Sequence, residues 1–334
     1  MEPLSKKRRI ISLSIFLAVF FICVPILFAY SSGYRFNIKD FRIVETGGIY
    51  IYSDLRDTRV FVDDEFYKNS GTILRNTLIQ RLPAEDIYSI RVEKDDYYPY
   101  YKELYIDPNR VTEVSVMMLP VDIPFTPVPQ TIEVVGTSSR ALATTSEAVS
   151  LVNPEYQQIA LLFATSTLEQ TPPLRTEIEI PTPFNSQASS TILVLNEKVV
   201  LLPKYILDLQ VEDIKNKEKL QEKGRLVTWL EGGDIHVMWA GEFEDTPYYF
   251  CDVRGCRDSI IVSTDTDIND YDYYPGRDDV LLITTANDIF AIEIDDRSRN
   301  NLQPVFTGTE EPLFRVVGST LYVQDGDNIF ETQI

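Results

Sequence analysis

Gly47-Gly-Ile-Tyr-Ile-Tyr-Ser-Asp-Leu-Arg-Asp-Thr-Arg-Val-Phe-Val-Asp-Asp64 sets the period of this chain at two. Ile49 and Ile51 alternate with Tyr50 and Tyr52, and Val60 and Val62 repeat the alternation. A strand turns successive side chains to opposite faces, so the run predicts half-buried strands. The pattern resumes at Ile87-Tyr-Ser-Ile-Arg-Val92 and from Val111 to Leu119. Asp63-Asp64, Lys94-Asp95-Asp96 and Asp107-Pro108-Asn109 supply the turns between runs. Several short strands punctuated in this way predict a small β-sandwich over residues 47–120.

Toward the N-terminus the pattern changes. From Ile10 to Ala29 there is no charged residue, a length that as a helix reaches about 30 Å, the thickness of the hydrocarbon core. Its Ile, Leu, Val and Phe residues together favour insertion by about 4 to 8 kcal/mol, more than Ser12, Ser14 and Pro25 can offset. A cleaved signal peptide would have a shorter apolar region, and Ala29-Tyr30-Ser31 is a poor small-x-small site. Cys23 has no lipobox-like context before it. The expectation is a retained transmembrane helix at 10–30, a basic cytoplasmic tail at 1–9 and a juxtamembrane segment at 31–46. Lys6-Lys-Arg-Arg9 favours the cytoplasmic side, against Arg35, Lys39 and Arg42 beyond the helix, and Tyr30 and Tyr34 suit the far interface. The chain is therefore expected to cross the cytoplasmic membrane once, N-terminus inside, with the bulk extracytoplasmic.

The net charge is -20. The first nine residues are net basic, so the remainder is more acidic still. Such a balance repels nucleic acid phosphate and anionic lipid headgroups as a whole and leaves no basic footprint for nucleic acid as a partner.

Toward the C-terminus, residues 121–150 shift to Pro, Thr, Ser and Ala, and Pro124, Pro127 and Pro129 read as an extended linker. Over 151–334 an apolar strand, a tight polar turn and a second strand recur. The pairs are Ile192–Leu195 with Val199–Leu202, Leu226–Leu230 with Ile235–Trp239, Val280–Ile283 with Ile289–Ile292, and Leu321–Val323 with Ile329–Phe330. Their spacing brackets that of propeller blades, so a β-propeller-like domain is expected. The charged stretch Glu212 to Lys223 reads as a short solvated helix or a mobile insertion. The fold class expected is an all-β ectodomain behind one N-terminal transmembrane helix.

Two resemblances sharpen this reading. Gly48–Ser53, Thr58–Asp64, Leu82-Pro83-Ala84 leading into Ile87–Val92, and Asp96-Tyr97-Tyr98 before Lys102 resemble the PEGA domain. Asp54-Leu-Arg-Asp-Thr58 replaces the name-giving Pro-Glu-Gly-Ala, and Glu85 and Asp96 stand where that family usually has glycine. Tyr274-Pro-Gly-Arg-Asp-Asp-Val-Leu-Leu-Ile283 is similar to the repeat of TolB-type propellers. Anchor, PEGA-like module and degenerate propeller together look like envelope proteins of candidate-phylum bacteria. The resemblance implies a membrane-anchored protein and brings no catalytic residues with it.

His236 is the single histidine and lies within a strand, so a structural role outweighs a triad. Asp265, Asp267, Asp270 and Asp272 offer hard oxygen ligands for calcium, but the EF-hand register fails at Asp270 and Gly276, leaving a solvated turn as the better reading. Asp278, Asp279, Asp295 and Asp296 read as solvated turns too. Tyr97, Tyr98, Tyr100 and Tyr101 could stack on sugar rings of a cell wall glycan, although strand alternation should turn about half of them inward. Cys251 and Cys256 flank a four-residue connection, and a hairpin there would bring them within bonding reach, so a disulfide is expected in preference to a zinc site. No cofactor is expected and no catalytic residue is selected.

These observations lead to an envelope binding or scaffolding protein with an envelope protein as partner. The alternative is a carbohydrate binder or a carboxylate-based glycan hydrolase.

Overall fold

The computed structural model describes residues 6–31, 33–37, 42–71, 75–135, 148–164, 190–195, 198–203, 217–252 and 254–334. The protein is mostly β-structure in several small sheets, behind one N-terminal apolar helix. That helix runs Lys6–Ser31. None of its apolar span from Ile10 is buried, and residues around its circumference such as Phe16, Phe21 and Ile22 are all exposed. An all-round apolar surface that packs on nothing is suited to lipid.

The chain divides into two compact units. The first holds residues up to Asp95, Pro99–Val116 and Asp252–Gly255; the second holds Asp96–Tyr98, Met117–Cys251 and Cys256–Ile334.

The first unit contains two four-stranded sheets. In one, Arg42–Ser53 is the hub: it pairs antiparallel with Tyr34–Asn37 and Thr77–Pro83 and parallel with Val111–Val116. The other runs in the order Glu65–Asn69, Arg59–Val62, Ile87–Glu93, Tyr100–Tyr105, all antiparallel. Alternation buries Ile49, Ile51, Ile79, Val114 and Val116 on the first sheet and Val60, Ile90, Val92, Tyr100 and Leu104 on the second. Two sheets, each with one buried apolar face, fit the small sandwich expected. Lys102 shares the buried face of Tyr100 and Leu104 at 2% exposure, a placement that the strand register dictates.

The second unit is built from antiparallel meanders. One sheet orders Glu218–Lys223, Leu226–Glu231, Asp234–Trp239 and Ser259–Val262; the next orders Asp270–Tyr273, Val280–Thr285, Asp288–Glu293 and Leu302–Thr307. A third orders Leu313–Val317, Thr320–Asp325, Asn328–Gln333 and Thr126–Pro127. All six residues of Val280–Thr285 are buried. Leu281 and Ile283 join a core with Leu226, Val237 and Ile260 of the first meander, whereas Val280 and Leu282 join one with Phe314, Leu321 and Val323 of the third. The middle sheet is therefore covered on both faces. That is why its strands read as unbroken apolar runs.

Three sequence expectations change here. Glu218–Lys223 is an edge strand, its register held by Leu226–Glu231, so the charged stretch is neither helix nor insertion where it is described; 212–216 lie outside the described residues. Charge is what an edge strand uses to discourage further pairing. Within 121–150, Thr126–Pro127 completes a sheet and Thr131–Val135 pairs with Ala148–Val152, so the proline-rich stretch is partly structured; proline is tolerated at an edge. Pro154–Ala164 forms a helix inside the β-rich region, burying Ile159 and Phe163, one turn apart, against Val128 and Ile329.

Candidate functional site

Strand order sets one end of the second unit apart. Val280 pairs with Glu293, so the turn before Val280 and the connection after Glu293 lie together. Arg277 grips Asp279 through Nε and Nη2 at 2.6 and 2.7 Å, and Arg297 grips Asp295 in the same two-pronged way at 3.0 and 2.8 Å. Arg257, ahead of Ser259–Val262, holds Asp296 at 2.8 and 2.5 Å and ties that end to the neighbouring sheet. Behind them, Glu293 accepts from the Asn301 backbone and side chain at 2.8 and 2.7 Å, fixing the return of the loop. Fork-to-fork pairs of this kind give geometric specificity as well as strength.

Under these pairs lies Tyr248-Tyr-Phe250, a single 3-10 turn. The Arg297 guanidinium sits 5.0 Å from the Tyr248 ring centre. Burial, reinforced by Asp279 and Asp295, pushes the Tyr248 hydroxyl far above its usual range, and burial does the same to Tyr249 and Tyr273. These three stay neutral across physiological pH. The hydroxyls of Tyr249 and Tyr273 are buried without a hydrogen-bond partner among the described residues. Asp279, Asp295 and Asp296 are tied to arginines, which suits them to hold turns in place better than to pass protons.

The carboxylates at this end differ from the solvated turns expected. Asp279 and Asp295 are only 9% and 4% exposed. The signal was present as an arginine two residues from an aspartate at each turn, a spacing that lets one side chain fold back on the other.

The other candidates separate. Asp270 is taken by Lys219 at 2.7 Å and Arg315 at 3.3 Å. Asp272 is half-buried, and that burial raises its pKa. Asp265 and Asp267 lie exposed in the loop before the strand, with Asp267 against Gly233. Among the described residues no three His, Cys, Asp or Glu side chains gather as a metal site. His236 stacks on Trp229 at 5.2 Å between ring centres, and its Nε2 lies 3.8 Å from Glu231, which also accepts from Trp229 at 3.0 Å. The tyrosines do not form one platform: Tyr100 is fully buried, Tyr101 faces outward, and Tyr98 packs on a core of the second unit.

Cys251 and Cys256 are joined, S–S 2.03 Å, across the short pairing of Cys251–Asp252 with Gly255–Cys256. In the chain-entropy account, closing so small a loop is worth about 2 kcal/mol. Replacing both cysteines by serine is expected to lower stability by about that amount. Denaturant titration of the full chain in detergent, with and without reductant, checks it: reductant should shift the native midpoint and leave the serine variant unmoved.

At the base of the first unit Ser31, Gly33, Thr46, Gly47, Gly48, Leu78, Gln80, Asn109, Arg110 and Val111 line an open cavity of about 430 Å³. A Cβ on Gly47 would sit 2.4 Å from the Asp107 carbonyl oxygen and one on Gly48 2.7 Å from that of Ile79, so both positions require glycine. Register slips between them, pairing Gly47 with Leu82 and Gly48 with Gln80; Arg81 is the extra residue, at φ 68°. Such a bulge re-aims a side chain.

No family model and no curated protein matches the chain. Among solved structures it is similar to a protein of unknown function, provisionally described as membrane-associated, from Bacteroides fragilis NCTC 9343. The two share 12% identity over 86% of this chain and 98% of that one, with a TM-score of 0.18. A likeness at that level carries no argument about either fold or function.

Proposed function

We propose that this chain is a membrane-anchored, extracytoplasmic binding or scaffolding protein of the cell envelope, with no chemistry of its own. The observation that carries the reading is the braced end of the second unit, where Arg257, Arg277 and Arg297 lock turns over a sheet buried on both faces. Loops already fixed in place lose little entropy on binding, which is what a recognition surface needs. An exposed apolar helix of spanning length supplies the anchor. The sandwich serves as a PEGA-like spacer: Glu85 and Asp96, at the two positions where that family has glycine, adopt φ of 62° and 64°. Successive four-stranded meanders stacked through shared cores support the propeller-like reading, with an envelope protein as partner at the loops.

Protease added to intact cells producing the full chain should digest it from the juxtamembrane segment onward. The same full chain, purified, should neither sediment with isolated cell wall polymer nor release reducing sugar from it. Protection until lysis would reverse the orientation. Sugar release abolished by one Asp or Glu substitution would make the protein a hydrolase, and sedimentation alone would make it a glycan binder.

A further inference from the structure

We infer that the base of the first unit binds the phosphate of an anionic phospholipid in the leaflet where the helix ends. Helix Lys6–Ser31 closes on Tyr30, and Gly33, at φ 88°, turns the chain into the sandwich. The Arg35 guanidinium carbon lies 3.5 Å from the Tyr30 ring centre, and that of Arg81, re-aimed by the bulge, 5.8 Å from the same ring. Arg110 is among the residues lining the cavity that Ser31 and Gly33 border.

Two features point to an anion here. Many arginines of this chain hold carboxylates: Arg59, Arg91, Arg225, Arg254, Arg257, Arg277, Arg297 and Arg315 are each ion-paired, whereas Arg42, Arg56 and Arg75 have no ion pair among the described residues. Arg35, Arg81 and Arg110 pair with no carboxylate among the described residues, in a chain of net charge -20. Glu45 stands near but is engaged by Tyr34, whose hydroxyl it holds above the usual range, and by Asn109 at 3.2 Å. The second feature is that Arg35 Nε is buried with no acceptor. Two guanidinium groups on one ring repel each other, and an unsatisfied buried donor is costly. A phosphate oxygen relieves both at once, and guanidinium is the side chain best matched to it. The helix carbonyls ending at Ser31 also favour cations, yet they account for one such group and leave the Nε donor open.

The source of the phosphate follows from position. Tyr30 and Ser31 end an apolar span, which puts Arg35 and Arg81, the two guanidinium groups on Tyr30, at headgroup depth. The inference thus rests on that helix spanning a bilayer.

The test uses the full chain in phosphatidylcholine vesicles with spin-labelled lipid, comparing motional restriction of labelled phosphatidylglycerol and phosphatidylcholine. Lys6, Lys7, Arg8 and Arg9 attract anionic lipid as well, so all four are first replaced by glutamine. In that background a preference for phosphatidylglycerol of roughly fivefold or more is expected, as attraction of basic residues at a membrane surface allows. Adding Arg35→Gln, Arg81→Gln and Arg110→Gln should bring it near one, and the three lysine replacements, which keep the charge but not the guanidinium fork, should retain part of it. The lysine set keeps the test decisive if the glutamine set fails to fold, because losing the preference there overturns the assignment. It is equally overturned if the tail replacements alone abolish the preference, if the glutamine set retains it, or if excess inorganic phosphate at constant ionic strength removes it. Failure of the chain to stay in the vesicles would count against the anchor instead.

Discussion

Leu282→Ala and Ile283→Ala, made separately, should each lower the unfolding free energy by about 3 kcal/mol, although neighbours in a half-exposed strand would differ sharply. The reason is geometric. Leu282 faces the core shared with Phe314 and Leu321, and Ile283 the core shared with Val237 and Ile260; both are fully buried. Each truncation removes several methylene groups and leaves a cavity that sheets on either side can close only in part. Ile261→Ala is the control: that side chain is 51% exposed, so its loss should stay within about 0.5 kcal/mol. Guanidinium titration of the detergent-solubilised chain, followed by the fluorescence of Trp229 and Trp239 in the first meander, reports all three. A strong effect at one position and none at the other would show a sheet covered on a single face.

Gly47→Val should cost the first unit about 3 kcal/mol, at the upper end of overpacking penalties. The new Cβ would meet the Asp107 carbonyl oxygen at 2.4 Å, Ile106 Cγ2 at 2.5 Å and the Arg110 carbonyl oxygen at 2.9 Å. Two of those are backbone atoms, so relief needs the loop ahead of Val111–Val116 to move away from Arg42–Ser53, although Gly48 N and the Arg110 carbonyl oxygen are bonded at 3.0 Å. Gly224→Ala makes the comparison, since nothing lies near its added Cβ and only its φ of 63° is unfavourable. Amide hydrogen exchange across 42–53 and 111–116 measures the difference: the valine should speed exchange there and leave Val280–Thr285 protected.

The period of two was legible because it is a property of the strand alone, and it located strands from Gly48 to Ser53, Ile87 to Val92 and from Val111 onward by residue types, although the first begins at Arg42 and pairs with Tyr34–Asn37 in the stretch read as juxtamembrane. The apolar helix was equally plain, being one uninterrupted run. What escaped depends on distant partners. Glu218–Lys223 has the residues of a solvated helix, and only pairing with Leu226–Glu231 makes it a strand. Thr126–Pro127 looks like linker until Asn328–Gln333 lies beside it. The braced end of the second unit was half visible: the aspartates and the arginines two residues from them stand in the sequence, but the burial of Asp279 and Asp295 comes only with the folded second unit. Arg35 and Arg81 come to Tyr30 from separate segments, and Arg81 lies at a bulge that a one-dimensional pattern does not mark.

Thr126–Pro127 on Asn328–Gln333 also imposes an order of events. Backbone bonds join Val128 to Ile329, and Gln303 binds the backbone of Met117 and Leu119 at 2.9 and 2.7 Å. A ribosome works from the N-terminus, so the segment from Met117 to Val128 emerges long before the strand it needs. Contacts this remote in sequence close late, because the loop entropy must be met before any bond rewards it. Met117 and Leu119 lack cover until residues 280–323 have followed, and Thr126–Pro127 lacks its partner until Asn328–Gln333 is made, the kind of surface that invites aggregation. Closure of the third meander therefore waits for its last strand, and the earlier segment stays exposed in the interval.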